Sequence, residues 1–334
     1  MGRHSREAIE VTGAGIYLSM ATLTVLVPTY RRATDLRRCL LALTTQVRRA
    51  NEVLVVVRPD DEASRAVVIE VSGSAVRIVD VTEPGVIAAM NAGLSAATGD
   101  IIALTDDDAA PLPDWLERIE RHFAADDKIG GVGGRDDQFR GDPSVPVRDP
   151  PEARPGHLQW WGRIIGQHHA AVPGPPRDVT ILKGVNCAYR REALRQIGGF
   201  DTRLAGSGAQ AHWELSLGLA LQRAGWRLIF DPAIGVDHFP APRFDEDQRG
   251  GVYLAAQRNT VHNETMILAS HFSPGRRLVY GLWTYLIGTS GSPGLAQAAR
   301  LLLRRDPQVG KRWLATFMGR VSGFRQAVRE RRRA

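Results

Sequence analysis

The sequence predicts an α/β protein built around a parallel β-sheet. Between residues 22 and 105, four short apolar runs alternate with segments that either carry apolar residues at helical spacing or connect the runs. Two of these runs end at aspartate clusters, and open parallel sheets bind ligands at the carboxyl ends of their strands. The alternation and the polar strand ends together predict a nucleotide-binding half-sheet.

Each predicted element has its own pattern. The strands are runs of β-branched and apolar residues, and the helices carry apolar residues along one side. Glycines at 198, 199 and 225 end two of the helices. The predicted strands lie at residues 22–28, 53–57, 76–79, 101–105 and 226–232, and the predicted helices follow residue 30 and lie at 85–98, 113–127, 191–197, 213–224 and from about 252 onward.

Three consecutive aspartates, Asp106, Asp107 and Asp108, follow the fourth strand directly. Adjacent carboxylates at the end of a buried strand repel one another and lose hydration, so a cation is needed to offset their charge. A hard divalent ion takes oxygen ligands and often bridges a carboxylate to a phosphate. The run therefore predicts a divalent-metal site, with a solvated aspartate turn as the alternative.

The positive charge of the chain is concentrated in its tail. From residue 276 to the end there are thirteen Lys or Arg and two acids, a net charge of +11, whereas the whole chain carries +7. Aromatic and leucine residues interleave with these cations, which is typical of a segment lying on an anionic membrane. No nucleic-acid motif accompanies the charge, so a membrane surface is the favoured partner and a solvated helical tail the alternative.

The cysteines and the apolar runs bear on the location of the protein. Cys39 and Cys187 lie far apart without metal or redox spacing, as in a reducing compartment. Residues 1–20 lack a signal-peptide core and are predicted to be a poorly ordered leader. The apolar run at 278–288 is about half the roughly 20 residues that a spanning helix needs. These features predict a cytoplasmic protein whose tail can lie on the inner face of the cell membrane, and a homo-oligomer is compatible with them.

A proline-rich segment interrupts the regular pattern at residues 135–180. It holds eight of the nineteen prolines and is longer than an ordinary connection. We expect an irregular functional loop on the acceptor side of the domain. Trp160 and Trp161 within it either pack onto the domain or stack on an acceptor.

Five blocks of the sequence, taken in order, resemble family 2 glycosyltransferases of the GT-A fold. They are LTVLVPTYRRATDLRRCLLAL, VVVRPDD, GVIAAMNAGLSAATGDIIALTDDDAAPLPDWL, KGVNCAYRREALRQIGGFD and LALQRAGWRLIFDPAIGVDH, which span about two thirds of the chain. The resemblance implies a Rossmann-like, mixed but mostly parallel sheet flanked by helices. It implies a nucleotide-sugar-binding catalytic domain at residues 21–245, followed by a helical, basic C-terminal extension at 246–334.

The resemblance also implies roles for individual residues. Asp108, Asp106 and His238 would hold Mg²⁺ or Mn²⁺, which links the aspartates to the diphosphate of a nucleoside diphosphate sugar. Asp106 would also lie near the ribose. The remaining donor-binding residues implied by the resemblance are Pro28, Thr29, Tyr30 and Arg32 at the base and ribose, Asp60 or Asp61 at the base edge, Asp107 beside the metal, and Asn91 and Lys183 at the sugar or diphosphate.

The catalytic base departs from the family pattern. Many members carry a Glu-Asp pair before the last strand, and here that pair aligns with Ala211 and His212. Glu214 is the carboxylate nearby, so we expect Glu214 to be the base, with His212 as base or orienting partner. Alternatively, Glu214 is a helix-first-turn acid that interacts with the helix dipole.

The implied activity is metal-dependent, inverting transfer of a sugar to a glycan or lipid-linked acceptor, as in the synthesis of cell-surface polysaccharide or glycolipid. A nucleotidyltransferase would need a glycine-rich phosphate loop after the first strand, and PTYRR contains no glycine. A dinucleotide-dependent oxidoreductase is disfavoured because no G-x-G-x-x-G follows Val27. A non-catalytic nucleotide-sugar-binding homologue stays open because the Glu-Asp pair is missing.

Overall fold

A mixed β-sheet forms the centre of the fold in the computed structural model, which describes residues 21–71, 75–140, 146–147, 151–152, 154–246 and 253–332. The predicted leader at residues 1–20 lies outside these ranges. The strands are β1 (Leu23–Thr29), β2 (Glu52–Val57), β3 (Val76–Asp80), β4 (Ile101–Leu104), β5 (Ala109–Pro111), β6 (Ile129–Gln138), β7 (His157–Leu158), β8 (Ile164–Ile165), β9 (Arg177–Asp178), β10 (Cys187–Arg190) and β11 (Arg227–His238).

Helices flank the sheet and form the C-terminal region. Within the described ranges the sheet has nine strands in the order β3-β2-β1-β4-β10-β6-β11-β5, with β9 paired to β11, while β7 and β8 form a separate hairpin. The helices are α1 (Ala33–Thr44), α2 (Glu62–Val71), α3 (Val86–Ala96), α4 (Trp115–Ala125), α5 (Arg191–Gln196), α6 (Trp213–Arg223), α7 (Leu254–His271), α8 (Pro274–Leu286), α9 (Leu295–Leu303) and α10 (Val309–Arg331).

The predicted parallel half-sheet is present. Strands β3, β2, β1 and β4 are parallel neighbours, and α1, α2 and α3 connect them. Side chains alternate between two faces along each strand, and both faces are buried. Leu26 packs with Leu54 and Leu104 in the core on one face, while Val27 and Val55 lie in the core on the other. Because all four strands run the same way, their carboxyl ends meet at one edge.

The other half of the sheet was not fully predicted. Strand β10 pairs antiparallel with β4 and β6, and β6 runs parallel to β11. Four glycines occupy β6, and glycine is depleted in strands. The sequence pattern therefore did not predict this strand. At Gly134 a Cβ atom would lie 1.9 Å from the carbonyl oxygen of Ile234 on β11. The glycines therefore allow the close approach of the two strands.

The proline-rich segment contains more regular structure than predicted. Its described residues include the end of β6, the β7–β8 hairpin, a short 3₁₀ turn at His168–Ala170 and β9. Long-range strand pairing explains why this structure was not predicted. Strand β9 pairs with β11, about fifty positions away along the chain. The prediction of an irregular loop over residues 135–180 is therefore wrong in part.

The C-terminal region is helical, as predicted. Helices α7 and α10 approach closely because Gly319 and Gly323 face α7. A Cβ atom at either position would lie 2.6 Å from a backbone carbonyl oxygen of α7, that of Arg258 or His262. In the part of the chain that the structure describes, no helix has both the length and the apolar character needed to cross a bilayer.

Asn186 joins three parts of the fold, and its loss should destabilise the protein. Its fully buried side chain accepts a hydrogen bond from Trp115 Nε1 at 2.8 Å and donates to the carbonyl oxygens of Arg135 and Ile234. Asn186→Ala leaves buried polar groups unpaired, so we expect a loss of about 2–4 kcal/mol in the free energy of unfolding. Chemical denaturation measures it. Asn259→Ala, which removes one partly buried hydrogen bond to Glu246, is the control and should cost less than about 1 kcal/mol. Equal effects of the two substitutions would contradict the assignment.

Candidate active site

Two adjacent clefts open at the carboxyl edge of the parallel strands. The first lies between the ends of β1 and β4, the start of α3 and residues 243–245. The second lies between the end of β4, residues 181–185, the 3₁₀ turn and the start of α6. The residues that line both clefts are Pro28, Val86, Asp106, Ala209 and Arg243. Asp106 thus lies at the junction of the two clefts.

Asp107 is held by the first strand and its loop. Its carboxylate accepts hydrogen bonds from Thr29 Oγ1 and Arg32 Nη1, both at 2.7 Å. Arg32 also donates from Nε to the carbonyl oxygen of Pro242 at 2.9 Å, which ties the loop after β1 to the segment after β11. Asp107 is buried and lines the first cleft. Its hydrogen bonds connect the end of β4 to the end of β1 and the loop that follows it.

Asp108 and His238 form a buried pair. Asp108 Oδ2 accepts a hydrogen bond from the backbone nitrogen of Ala241 at 2.9 Å. The two ring nitrogens of His238 lie 3.4 Å from Asp108 Oδ1 and 3.4 Å from Asp136 Oδ2. Strands β5 and β11 create this arrangement, because they pair antiparallel with His238 opposite Ala109.

The charges of the cluster shift its pKa values in opposite directions. Burial raises the pKa of Asp107 to about 7, although Arg32 acts to lower it. Burial would lower the pKa of His238, but its contacts with Asp108 and Asp136 outweigh burial and raise that pKa to about 9. Burial acts to raise the pKa of Asp108, but His238, Arg32 and the backbone hydrogen bond from Ala241 together outweigh burial and lower that pKa. The protein thus supplies part of the countercharge itself.

The donor set fits a divalent metal ion. One ligand atom each from Asp106, Asp108 and His238 lies within 4.8 Å of the other two. Carboxylate oxygens suit both Mg²⁺ and Mn²⁺, and an imidazole nitrogen suits the transition metal better. The three residues predicted as metal ligands are therefore brought together, although they come from two strand ends that are 130 residues apart.

Tyr30 lies in the first cleft with an arginine that the sequence analysis did not single out. The guanidinium carbon of Arg58 lies 3.8 Å from the centre of the Tyr30 ring. Arg58 also forms a two-pronged ion pair with Asp245, at 3.0 and 3.1 Å. This stack closes the first cleft between the turn after β2 and the segment after β11. Pro28, Thr29, Tyr30 and Arg32 all line the same cleft, where the nucleoside was predicted.

Asp60 and Asp61, one of which was predicted to bind the base, both make contacts within the protein. Asp61 is buried and accepts hydrogen bonds from the backbone nitrogens of Arg31 and Ser64. It thereby caps α2 and holds Arg31 in a left-handed conformation with φ of 57°. Asp60 is exposed, accepts from the Tyr30 hydroxyl at 3.2 Å and pairs with Arg31. Neither carboxylate is among the residues that line the two clefts.

Asn91, which was predicted to contact the donor, makes two hydrogen bonds within the protein. Its side-chain amide donates to the carbonyl oxygen of Phe200 and accepts from the backbone nitrogen of the same residue, both at 2.9 Å. This pair of bonds fixes α3 to the turn that follows α5. Asn91 does not line either cleft. The resemblance of the α3 segment to the family suggested that Asn91 binds the donor. Its hydrogen-bond partner Phe200 lies more than a hundred residues later in the chain.

The second cleft contains the predicted catalytic residues and Lys183. Glu214 and His212 line it at the start of α6, and Lys183 lines it from the segment before β10. A Cβ atom at Gly184 would lie 2.5 Å from a ring carbon of Trp213, so this glycine makes room for the Trp213 ring. His212 has left-handed backbone geometry with φ of 73°. Burial and the neighbouring Asp108 raise the pKa of Asp106, and the positive charge of Lys183 acts in the opposite direction.

The structure places the predicted acceptor residues Trp160 and Trp161 away from the two clefts. Their side chains are 61% and 37% exposed. The carbonyl oxygen of Trp160 accepts a hydrogen bond from Arg276 Nε on α8. Trp161 borders a third cavity with Trp283 and Ile287 of the C-terminal region.

Several residues of the clefts were missed by sequence reasoning. Arg58 could have been found, because it precedes Pro59 in the predicted turn at the end of β2. Arg243 lies in a segment without a periodic pattern, and Asp136 lies in the glycine-rich strand that was not predicted. Asp136 is brought to the site by the pairing of β6 with β11, whereas Arg58 directly follows β2.

The sheet and the helices have the GT-A glycosyltransferase fold. A mannosyltransferase of Pyrobaculum calidifontis, solved with GDP-Man and Mn²⁺, aligns with a TM-score of 0.55 and 20% identity over 94% of this chain and 87% of that chain. GalNAc-T7, solved with UDP, GalNAc and Mn²⁺, aligns with a TM-score of 0.56 and 14% identity over 76% of this chain and 51% of that one. At these identities the likeness establishes the fold alone.

The sequence itself identifies the family. Residues 24–198, just over half of the chain, match the family described as glycosyl transferase family 2. The chain therefore belongs to glycosyl transferase family 2, as the sequence motifs predicted.

Two curated relatives share part of the sequence. The pre-mycofactocin glycosyltransferase of Mycobacterium tuberculosis is 30% identical over 220 residues, which is 65% of this chain and 42% of the relative. The glucosyl-dolichyl phosphate glucuronosyltransferase of Haloferax volcanii is 27% identical over 151 residues, which is 44% of this chain and 45% of the relative. The chain spans less than half the length of these relatives.

Proposed function

We propose that the protein transfers a sugar from a nucleoside diphosphate sugar to a glycan or lipid-linked acceptor, with inversion at the sugar carbon and with Mg²⁺ or Mn²⁺ bound. The observation that carries this proposal is the cluster of Asp106, Asp108 and His238 at the junction of the two clefts. One cleft has the aromatic and cationic walls that suit a nucleotide. The other has a carboxylate and an imidazole that suit an acceptor hydroxyl.

The nucleoside would bind in the first cleft. The stack of Arg58 on Tyr30 offers a flat surface for a base, and Thr29 and Arg32 border the ribose side. The diphosphate would then lie at the junction, beside Asp106. Arg243 lines both clefts there, and Lys183 borders the second, so the phosphate oxygens would lie beside two cationic side chains.

Asp106, Asp108 and His238 would hold the metal ion. When bound, the ion neutralises the charge that develops on the leaving diphosphate. The protein contributes the fixed geometry, since Ala241 and His238 hold Asp108 and Arg32 holds Asp107. This arrangement keeps the carboxylates in place before the donor binds.

The chemistry in the second cleft needs a base for the acceptor. In direct displacement, the acceptor oxygen bonds to the anomeric carbon while the bond from that carbon to the diphosphate oxygen breaks with its electron pair. Glu214 takes the acceptor's proton, and His212 lies in the same cleft as its partner.

The name of one relative supports a lipid-linked acceptor. It is a glucosyl-dolichyl phosphate glucuronosyltransferase, and another relative is a pre-mycofactocin glycosyltransferase.

The metal assignment predicts the behaviour of Asp108→Asn. Loss of the charged ligand should weaken Mn²⁺-dependent binding of UDP and GDP by about tenfold or more and abolish slow hydrolysis of UDP-glucose or GDP-mannose. Isothermal calorimetry and nucleotide release measure the two effects. Asp127→Asn, at an exposed position on the far side of α4, is the matched control and should leave both unchanged. Failure of the wild-type protein to bind any nucleoside diphosphate with Mn²⁺ would overturn the proposed function.

We further propose that the C-terminal region binds an anionic membrane. Leu278, Leu282 and Leu286 project at helical spacing from α8 and are 52–65% exposed. Helix α9 buries none of its residues, and Leu302 and Leu303 on it are 62% and 86% exposed. Arginines at 300, 304 and 305 lie beside these leucines along the chain. An apolar stripe bordered by cations is the pattern of a helix pair lying on a lipid surface.

Replacement of Leu282 and Leu286 by Asp should abolish this binding, because charged side chains cannot enter the acyl boundary. Co-sedimentation with phosphatidylglycerol vesicles measures it, and phosphatidylcholine vesicles test the contribution of the arginines. Val47→Asp is the control, since Val47 is an equally exposed apolar residue on the catalytic domain. Equal sedimentation of the double variant and the wild type would contradict the membrane proposal.

A further inference from the structure

His212 has an unusual setting within the second cleft. Its backbone is left-handed, with φ of 73° and ψ of 12°, a conformation that residues other than glycine rarely adopt. Strain of this kind persists only where the surroundings hold it, and it occurs often at functional sites. The backbone carbonyl of His212 accepts from Ser216 N at 3.0 Å, so the residue also begins α6.

Helix α7 of the C-terminal region holds the loop at residues 204–212, which ends at His212. The fully buried Asn263 accepts a hydrogen bond from Ala205 N at 2.8 Å and donates to the carbonyl oxygens of Ala205 and Ala211, at 3.0 and 3.2 Å. On its other side the loop is held by Gln210, which accepts from Ile87 N at 3.0 Å. Both clefts are therefore bordered by a loop that α7 fixes in place.

The next residue on α7, Glu264, faces His212. Its Oε2 lies 3.7 Å from His212 Nε2, the distance of an ion pair. Its other oxygen, Oε1, accepts a hydrogen bond from the hydroxyl of the fully buried Tyr280 at 3.2 Å. The same hydroxyl lies 3.4 Å from Thr265 Oγ1. One carboxylate oxygen of Glu264 is thus held by the Tyr280 hydroxyl, and the other faces the His212 imidazole.

We propose that Glu264 is a positioning residue for the transfer reaction, which acts by orienting the His212 imidazole in the second cleft. This inference rests on the proposed function, and it adds a contribution of the C-terminal region to catalysis. A carboxylate behind a histidine selects the tautomer with the proton on the nitrogen that faces it. The other ring nitrogen is then a hydrogen-bond acceptor. It can hold the acceptor through a second hydroxyl, or through the second O–H of a water molecule, while the reacting O–H passes its proton to Glu214.

Tyr280 supports Glu264 from the protein core. Its ring packs with Phe272, Trp283 and Phe324. The carboxylate of Glu264 is therefore anchored to a packed aromatic cluster.

Glu264→Gln tests the proposal, because it keeps the shape and removes the charge. In protein labelled with ¹⁵N at histidine, the wild type should show His212 with the proton on Nε2, and Glu264→Gln should lose that preference. The His212 signals are assigned by their absence in His212→Gly, and glycine suits the left-handed backbone at this position. Identical ring-nitrogen shifts in the wild type and Glu264→Gln would overturn the proposal. This measurement requires no substrate.

Hydrolysis of UDP-glucose or GDP-mannose, with water as acceptor, gives the functional test. Glu264→Gln should lower kcat on the order of tenfold and leave the Kd for UDP or GDP with Mn²⁺ unchanged. Tyr280→Phe should give a smaller loss of the same kind. In a His212→Gly background, Glu264→Gln should have no further effect, because it acts through the imidazole. A full additional loss in that background would instead identify a general structural role and overturn the proposal.

The matched control is Glu330→Gln. Glu330 lies on α10 of the same region and pairs with Arg203, outside the residues that line the two clefts. It should change neither kcat nor the His212 signals. A protein that binds no nucleoside diphosphate would refute the proposed function, whereas normal binding with unchanged kcat in Glu264→Gln would refute this inference alone.

Discussion

The charge of three adjacent aspartates at the end of a buried strand is the constraint on which the site depends. Arg32 from the first loop forms an ion pair with Asp107. Near the end of β11, Asp108 accepts a hydrogen bond from Ala241 N and lies beside His238. These contacts require β1, β4 and β11 to end at the same edge. Asp106 is left at the junction of the two clefts, where a ligand can reach it.

The two halves of the sheet contribute differently to this edge. The parallel half supplies the aspartates and the first cleft through strand ends that the chain reaches in order. The second half supplies His238, Asp136 and Lys183. The glycines of β6 permit the close packing of β6 against its neighbouring strands. The C-terminal helices then hold the loop at 204–212 against both clefts through Asn263. The clefts therefore depend on contacts from nearly the whole chain.

Local patterns were sufficient to predict the parallel half of the sheet, and the family motifs were sufficient to predict the residues of the aspartate–histidine cluster. Buried β-branched runs define β1, β2 and β4, and the family motifs singled out Asp106, Asp108 and His238, which the structure brings together. Strand β6 escaped prediction because its glycines oppose strand propensity and are required only by its neighbours. The hydrogen bonds of Asn91 and Asp61 were not predicted for a related reason. Their partners, Phe200 and Arg31, are brought close by tertiary packing, which produces no periodic pattern in the sequence.

Electron paramagnetic resonance of Mn²⁺ tests the central claim most directly, because the signal of the free ion reports how much of it is bound. We expect one Mn²⁺ per chain to be bound in the presence of UDP or GDP, and this binding to be lost in His238→Ala. Binding of Mn²⁺ that is unaffected by the nucleotide and retained in His238→Ala would contradict the account. It would mean that the cluster at the junction of the two clefts is not the site at which the metal and the diphosphate meet.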